Sequence, residues 1–570
     1  MVFLRNVGII RVNKSLIRRM KVGVVLSLQG AAKSCIEVGT KTLREIVMER
    51  KGTMKPILAR RGGEYFELNE CLNGQNDLIP VYIDDYVGNK AYERTLSMIL
   101  VTAYHRLFKE RKLVIDHSIS KGLYCWVEDE KISIEDIHRL KAEMKRIVKM
   151  DYPIEKKCIK LEDALERFKR NGEMDKYLLL KDSTFDSVKM YSLLDQLEYF
   201  YGKMAVSTGN INLFELVPYK NGFVMVYPTI SEPESVKVFT AQDKLFQIFE
   251  ETARWDELIG INYVGYLNEK IKNNETRTLI SVTEALHEKK IAYIADDIRN
   301  RKNVRIILIA GPSSSGKTTF AYRLGIQLRV NGIIPMPISM DDYFLPRRMT
   351  PLKEDGSYDF ESVDALDLKL FEADMRRLLA GEKIKLPRFN FKTGEREESA
   401  CEVSLPENGV LIIEGIHGLN PKILQNIENR LKFKIYISAL TVLNLDRHNR
   451  IATTDVRKLR RIARDHISRG YSPEETLSIF PSVTLGEKKY IFPHQEEADA
   501  MFNSTLFYEL AVLKKHTLVE LQKIGKESRA YEEAKRLITI LRLFADVDDA
   551  MVPTNSILRE FIGGSQFFDY

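Results

Sequence analysis

Val304-Arg-Ile-Ile-Leu-Ile-Ala310, running into Gly311-Pro-Ser-Ser-Ser-Gly316-Lys317-Thr318-Thr319, decides how this 570-residue chain is read. The first seven residues form a mostly apolar, β-branched run of the length of a buried strand. The loop that follows has the form G-x-x-x-x-G-K-[ST], and a helical pattern begins at Thr319. A strand, a glycine loop and a helix in that order make a phosphate cradle. The glycines let the backbone close around phosphate oxygens, and the loop N–H groups and helix N-terminus supply positive potential. The expected nucleotide-binding residues are Gly311, Pro312, Ser313, Ser314, Ser315, Gly316, Lys317, Thr318 and Thr319. Lys317 would neutralise the β- and γ-phosphates, and Thr318 would set its hydroxyl on Mg²⁺.

Working outward, two further strand-like runs end in acids. Ile334 to Ser339 leads into Met340-Asp341-Asp342-Tyr343, and Val410 to Ile413 leads into Glu414-Gly415. Parallel strands deliver their C-terminal ends to one edge, so these acids are expected beside the loop. Asp341 suits a general base on an acceptor hydroxyl, shared with metal binding, and Asp342 is its rival; Glu414 suits an Mg²⁺ or metal-water contact. Further on, Arg457, Arg460, Arg461 and Arg464 fall at i, i+3, i+4 and i+7, and Arg469 follows. One helix face then carries several guanidinium groups, either a solvated face or a lid that closes over ATP.

Composition narrows the class. Apolar residues make up 44% and charged residues 29%, which is globular, and a formal net charge of +7 is too small to imply a polyanion partner. The five cysteines, Cys35, Cys71, Cys125, Cys158 and Cys401, form no C-x-x-C pair, which argues against a disulfide framework and for a reducing, cytoplasmic setting. No apolar run is long enough to span a membrane. The acid-free basic stretch 1–21 reads as an upstream extension before a start at Met20, with an organellar leader as the alternative. After it, a strand at Val22 to Leu28, a capping box at Thr42 and short strands at Lys55 to Ala59, Glu64 to Leu68 and Leu78 to Ile83 predict a small α+β unit over 22–88. A helix from about Tyr92 to Lys109, strands at Leu113 to Ile115 and Gly122 to Val127, and a helix capped at Ser133 open a second α+β unit over 89–272. A linker helix over 273–303, an α/β unit with a parallel sheet over 304–545 and a C-terminal tail over 546–570 complete the expected order.

Gly311 to Thr319, Asp341-Asp342-Tyr343-Phe344, Asp359-Phe360-Glu361 with Asp364-Ala365, Pro387-Arg388-Phe389-Asn390-Phe391 with Arg396, Glu414-Gly415-Ile416 and the arginine helix together resemble the phosphoribulokinase and uridine kinase family. The resemblance covers about Val304 to Arg469. It implies a P-loop kinase that uses ATP and Mg²⁺ to phosphorylate a nucleoside 5′-hydroxyl, most simply uridine to UMP. It implies catalytic roles for Lys317, Asp341 and Arg464, and ATP contacts by Arg460, Arg461 and Arg469. The implied metal ligands are Thr318, Asp341 and Glu414, and the implied acceptor-side residues are Tyr343, Phe360, Glu361, Phe389, Arg396 and Arg457. For Phe360 and Phe389 a core position is the alternative. The sequence departs from uridine kinases in having Glu361 in place of aspartate and no histidine from Phe389 through Arg396.

Gly39 to Ile46 resembles the start of the TGS helix, of β-grasp fold, and His117 to Cys125 with Ile134-Glu135-Asp136 resembles the adjoining editing domain of threonyl-tRNA synthetases. This similarity runs over about residues 22–272. That family edits with paired histidines and a later cysteine and histidine. Here Val101 stands four residues before His105, and Thr208 to Leu216 contains neither cysteine nor histidine. Hydrolytic editing is therefore expected to be lost, with His105 and His117 structural. The N-terminal half then reads as the seat of an RNA or regulatory ligand, and a homo-oligomer is compatible with the sequence. The whole order, through Phe492-Pro493 and Phe502-Asn503-Ser504 to Arg559-Glu560-Phe561-Ile562-Gly563-Gly564, resembles bacterial fusion proteins of the uridine kinase type. Rival readings are a kinase for another sugar or nucleoside hydroxyl, and a nucleotide-switched RNA- or ribosome-associated binding protein.

Overall fold

The structure, a computed structural model, describes residues 54–70, 78–109, 111–301, 303–353, 356–390, 393–441 and 443–568. The basic stretch 1–21, the strand expected at Val22 to Leu28, the capping box at Thr42 and the Gly39 to Ile46 motif lie outside these residues.

Strands β1 (Leu58–Arg61), β2 (Glu64–Glu67) and β3 (Ile79–Val81) form an antiparallel sheet in the order β2-β1-β3, with Gly62 at φ +59° in the β1–β2 turn. Helix α1 (Tyr86–Leu107) starts six residues before the expected Tyr92. The side chain of Asp85 accepts from Val87 N and Gly88 N and caps the helix there. Next come β4 (Leu113–Ile119), β5 (Gly122–Val127), α2 (Ile134–Lys149) capped by Ser133, β6 (Glu155–Lys160), α3 (Leu161–Arg170), α4 (Met174–Leu180), β7 (Ser187–Leu193), β8 (Gln196–Tyr199), β9 (Glu215–Tyr219) and β10 (Gly222–Val226). They build two antiparallel sheets, β4-β5-β10-β9 and β6-β7-β8. Helices α5 (Asp243–Ile259), α6 (Val264–Lys272) and α7 (Thr276–Asn300) lead to the C-terminal half.

That half contains β11 (Ile306–Ala310), α8 (Lys317–Val330), β12 (Ile334–Ser339), α9 (Leu368–Leu379), β13 (Ile384–Asn390), β14 (Glu395–Val403), β15 (Gly409–Glu414), β16 (Lys432–Ser438), α10 (Thr453–Ser468), α11 (Pro473–Tyr490), β17 (Ala500–Asn503), α12 (Glu509–Gln522), α13 (Tyr531–Leu541) and α14 (Arg559–Ile562). Its central sheet is parallel throughout, in the order β12-β15-β11-β16-β17. β11 lies in the middle because both its faces are apolar. Ile307 and Ile309 join the core that contains Phe320 and Leu324 of α8, and Ile306 and Leu308 join the core that contains Phe371 and Met375 of α9. The two-residue period of a strand sends alternate side chains into these two layers, each fully buried one stabilising by about 1.5–3 kcal/mol. Helix α7, read as a linker, is packed on α8: buried Arg323 pairs with Glu284 at 3.3 Å and Glu288 at 2.8 Å. Among the described residues no helix is long and apolar enough to cross a membrane.

Candidate active site

The phosphate loop sits between β11 and α8, at the C-terminal edge of the sheet. Two glycines are required there by space. A Cβ on Gly311 would lie 1.9 Å from Ile437 O, and Gly316 has φ +86° with Ile557 Cγ2 2.5 Å from its would-be Cβ. Lys317 Nζ donates to Gly311 O at 3.1 Å and Pro312 O at 3.3 Å, curling over its own loop. Strand register then brings in the acids. Glu414 is the register partner of both Ile309 and Ser339, so the ends of β11, β12 and β15 stand side by side. Thr318 Oγ1 donates to Glu414 Oε1 at 3.5 Å. Burial pushes the Glu414 carboxyl up to about 7; Lys317 opposes this, and Asp341 and Glu560 add to it.

Asp341 lies on a 3₁₀ turn over Met340–Tyr343, directly after β12. It opens onto solvent, yet the protein around its carboxyl raises its pKa above the ordinary value; Lys317 and Arg469 pull it down and Asp342 pushes it up. Asp342 turns the other way and accepts from Phe389 N at 3.1 Å, which ties the turn to β13. Among the described residues no group of three or more His, Cys, Asp or Glu could hold a metal unaided. The oxygens of Thr318, Glu414 and Asp341 suit Mg²⁺, a hard cation that takes its remaining ligands from phosphates and water.

The arginine helix α10 corrects the expectation of a lid. Val456, Leu459, Ile462 and Ala463 alternate with the arginines and bury the helix. Arg457 and Arg460 are 1% and 0% exposed. Arg457 Nε donates to Ser313 O at 2.8 Å and its Nη2 is ion-paired with Glu487. Arg460 Nη2 donates to Ser504 O at 2.7 Å and Glu509 Oε2 at 2.5 Å, and its Nη1 lies 3.5 Å from Ser314 O. These two guanidinium groups brace the loop from behind; Arg457 does not line an acceptor pocket, and Arg460 is not poised to close over ATP. Arg461 (to Ser313 Oγ at 3.4 Å), Arg464 and the half-exposed Arg469 gather around Asp465 at the side of the loop.

On the acceptor side the expected residues divide. Glu361 is half-buried against Gly486 of α11, and burial with nearby Glu487 pushes its carboxyl up to about 7, with Arg461 and Lys317 opposing. It therefore stands within the electrostatic reach of the loop. Phe360 is 43% exposed, beside Tyr358. Phe389 is buried 5.8 Å from Phe344, the core alternative. Tyr343 is buried too: its hydroxyl donates to Asp374 Oδ2 at 3.2 Å and its ring meets Phe371, so it faces the core, away from any acceptor. Arg396 is committed to Asp367 at 3.2 Å and Phe344 O at 3.1 Å, bracing the β13–β14 hairpin. Phe391 lies outside the described residues.

Three residues near the loop were given no site role from the sequence. Glu487 accepts from Ser313 N at 3.0 Å, Glu560 accepts from Thr319, and buried His417, three residues past Glu414, meets Tyr490 edge-on at 6.0 Å. Burial lowers the His417 pKa to about 4. Only His417 had a local signal, its closeness to Glu414; the two glutamates arrive from distant helices. In the N-terminal half, His105 Nδ1 lies 2.6 Å from Gln196 Nε2 and the His117 ring is stacked on Phe249 at 3.7 Å, structural positions for both.

Comparison with known proteins finds the phosphoribulokinase/uridine kinase family model matching residues 306–508. A uridine kinase of Borrelia hermsii is 30% identical over 239 residues, covering 39% of this chain and 97% of that kinase. A threonine–tRNA ligase of Acetivibrio thermocellus is 32% identical over 157 residues in the amino-terminal region, 27% of this chain and 25% of the ligase. The chain spans between about a fifth and a third of the length of the threonine–tRNA ligases it matches. A solved structure of a possible uridine kinase from Bacillus stearothermophilus is 24% identical, covering 26% of this chain and 79% of its own, with a TM-score of 0.23.

Proposed function

Because the chain belongs to the phosphoribulokinase/uridine kinase family, we propose that it is an ATP- and Mg²⁺-dependent kinase that phosphorylates a nucleoside 5′-hydroxyl, uridine being the simplest acceptor. One observation carries this reading: Lys317, Thr318, Asp341 and Glu414 meet at a single sheet edge. In the reaction the acceptor oxygen forms a bond to the γ-phosphorus while the bond from that phosphorus to the β–γ bridging oxygen breaks, leaving ADP. Asp341 takes the hydroxyl proton, and the engagement of Asp342 by Phe389 N–H favours Asp341 over its neighbour. Lys317 leaves its loop carbonyls to neutralise the β- and γ-oxygens, and Arg464, with Arg461 and Arg469, spreads the charge of the transferring group. Thr318, Glu414 and Asp341 would hold Mg²⁺, which screens phosphate charge when bound. Glu361 would accept from sugar hydroxyls.

In this reading the kinase unit spans 304–545 and the chain acts in the cytoplasm. The editing-like unit over 89–272 takes an RNA or regulatory ligand. The similarity to threonine–tRNA ligases favours, as a second reading, a nucleotide-switched RNA-binding protein. Mass analysis of products from ATP, Mg²⁺ and a panel of ribonucleosides, deoxyribonucleosides and sugar alcohols separates the two. A nucleoside monophosphate should form, and Lys317→Ala should cut its rate by about 10²-fold or more, the scale on which a charge-stabilising group acts. ATP hydrolysis stimulated by tRNA with no phosphorylated acceptor would sink the kinase reading and support the switch.

A further inference from the structure

Two carboxylates reach the phosphate loop from distant parts of the chain, and they are held differently. Glu487 accepts from Ser313 N and is ion-paired with Arg457, whose Nε donates to Ser313 O. This pair grips one loop residue, Ser313, by both its N–H and its carbonyl and carries its own countercharge. Glu560, on α14, accepts at Oε2 from Thr319 N at 3.2 Å and from the Thr319 hydroxyl at 2.9 Å. It is 6% exposed and has no cationic partner among the described ion pairs. Its two recorded hydrogen bonds, both from Thr319, lie at the N-terminal end of α8.

Both donors belong to the first turn of α8. N–H groups in a first turn have no partner within the helix, and the positive end of the helix dipole favours an anion there. In a loop of this form the same turn helps cradle nucleotide phosphates. Apolar neighbours anchor the segment that delivers Glu560. Ile557, fully buried, packs on Gly316, and the ring of Phe561, also fully buried, faces the Arg460 guanidinium at 5.0 Å.

Resting on the kinase reading above, we propose that the Glu560 carboxylate and a nucleotide phosphate are competing ligands for Thr319. One N–H and one hydroxyl cannot serve two anions, and two like charges at this separation repel. Nucleotide loading turns the Glu560 side chain off Thr319 while Ile557 and Phe561 hold the segment in place. The C-terminal segment is thereby part of the nucleotide site and sets its affinity.

The test is calorimetric titration of the full chain with ATP and Mg²⁺, for the unmodified protein, Glu560→Gln and Lys317→Ala. The neutral amide is a poorer competitor than the carboxylate, so Glu560→Gln should bind ATP roughly fivefold or more tightly than the unmodified chain. Equal or weaker binding by Glu560→Gln, with binding weakened in Lys317→Ala, overturns the competition and leaves the kinase reading standing. Failure of every chain to bind overturns both. Should Glu560→Gln fold poorly, the unmodified chain crystallised with a non-hydrolysable ATP analogue answers the same question. Glu560 should stand beyond hydrogen-bond distance of Thr319, and a retained Glu560–Thr319 bond beside bound phosphate overturns the proposal.

Discussion

Asp341 and Asp342 are adjacent in sequence and opposite in orientation. Asp341 shares the electrostatic field of Lys317 and Arg469, whereas Asp342 is spent on the Phe389 amide. Asp341→Asn should therefore lower kcat by about 10²–10⁴-fold, the range for a general base, with little change in ATP affinity. Asp342→Ala should retain transfer and lose about 1–3 kcal/mol in urea unfolding, as the orphaned N–H dictates. The reverse pattern would exchange their roles. Glu361 makes a pH prediction. Its carboxyl is raised from 4.5 to about 7, so the folded chain binds more protons than the unfolded chain between those values. Its contribution to stability is complete below about pH 4.5 and is lost as pH rises through about 7. Glu361→Gln should flatten that slope in unfolding measured at pH 5 and pH 8; an unchanged slope refutes the assignment, since Glu414 supplies only its own part. The candidate site was legible at this scale wherever a loop motif or a strand end fixes a residue's place: Lys317 needed only the motif, and Asp341 and Glu414 only the parallel-sheet rule. Tyr343 and Phe389 misled because an aromatic beside an active turn reads alike whether it faces a pocket or a core.

At the scale of elements, α10 teaches the same point. Its arginine spacing was legible, but which face of the helix meets solvent depends on what packs around it. Here apolar residues lie between the arginines, and Glu487 and Glu509 come from helices α11 and α12 to neutralise them. Arg460→Ala would leave Glu509 buried and unpaired, so it should cost about 3–5 kcal/mol of stability, read as a fall in the denaturant midpoint. A fully stable Arg460→Ala with reduced ATP affinity would restore the lid. Helix α1 differs from its expected start for a smaller reason: Asp85 is a cap that a search for apolar periodicity passes over.

At the scale of the whole molecule, the two halves share one surface. The segment between β16 and α10 reaches into the editing-like unit: Arg447 pairs with Glu128 at 2.8 Å and Asp175 at 3.2 Å, Ile115 N donates to Arg447 O, and Asn449 Nδ2 donates to Tyr199 O. Arg447→Ala strips the guanidinium from a carboxylate that is 1% exposed, which should cost about 3–5 kcal/mol. Calorimetry should show the melting transition lowered and split into two, and an unaltered single transition would mean that this contact does not couple the halves. The amino-acid sequence by itself determined the strand–loop–helix phosphate site, the parallel sheet, the order of the units and the family resemblance, because these depend on local spacing and apolar period. Tertiary structure alone decided that the arginines brace the loop, that Asp342 is taken by β13, that the C-terminal segment returns to Thr319 and that the halves share a core. Each of these pairs residues tens to hundreds of positions apart, and no local pattern encodes which buried charge meets which partner once the chain has closed.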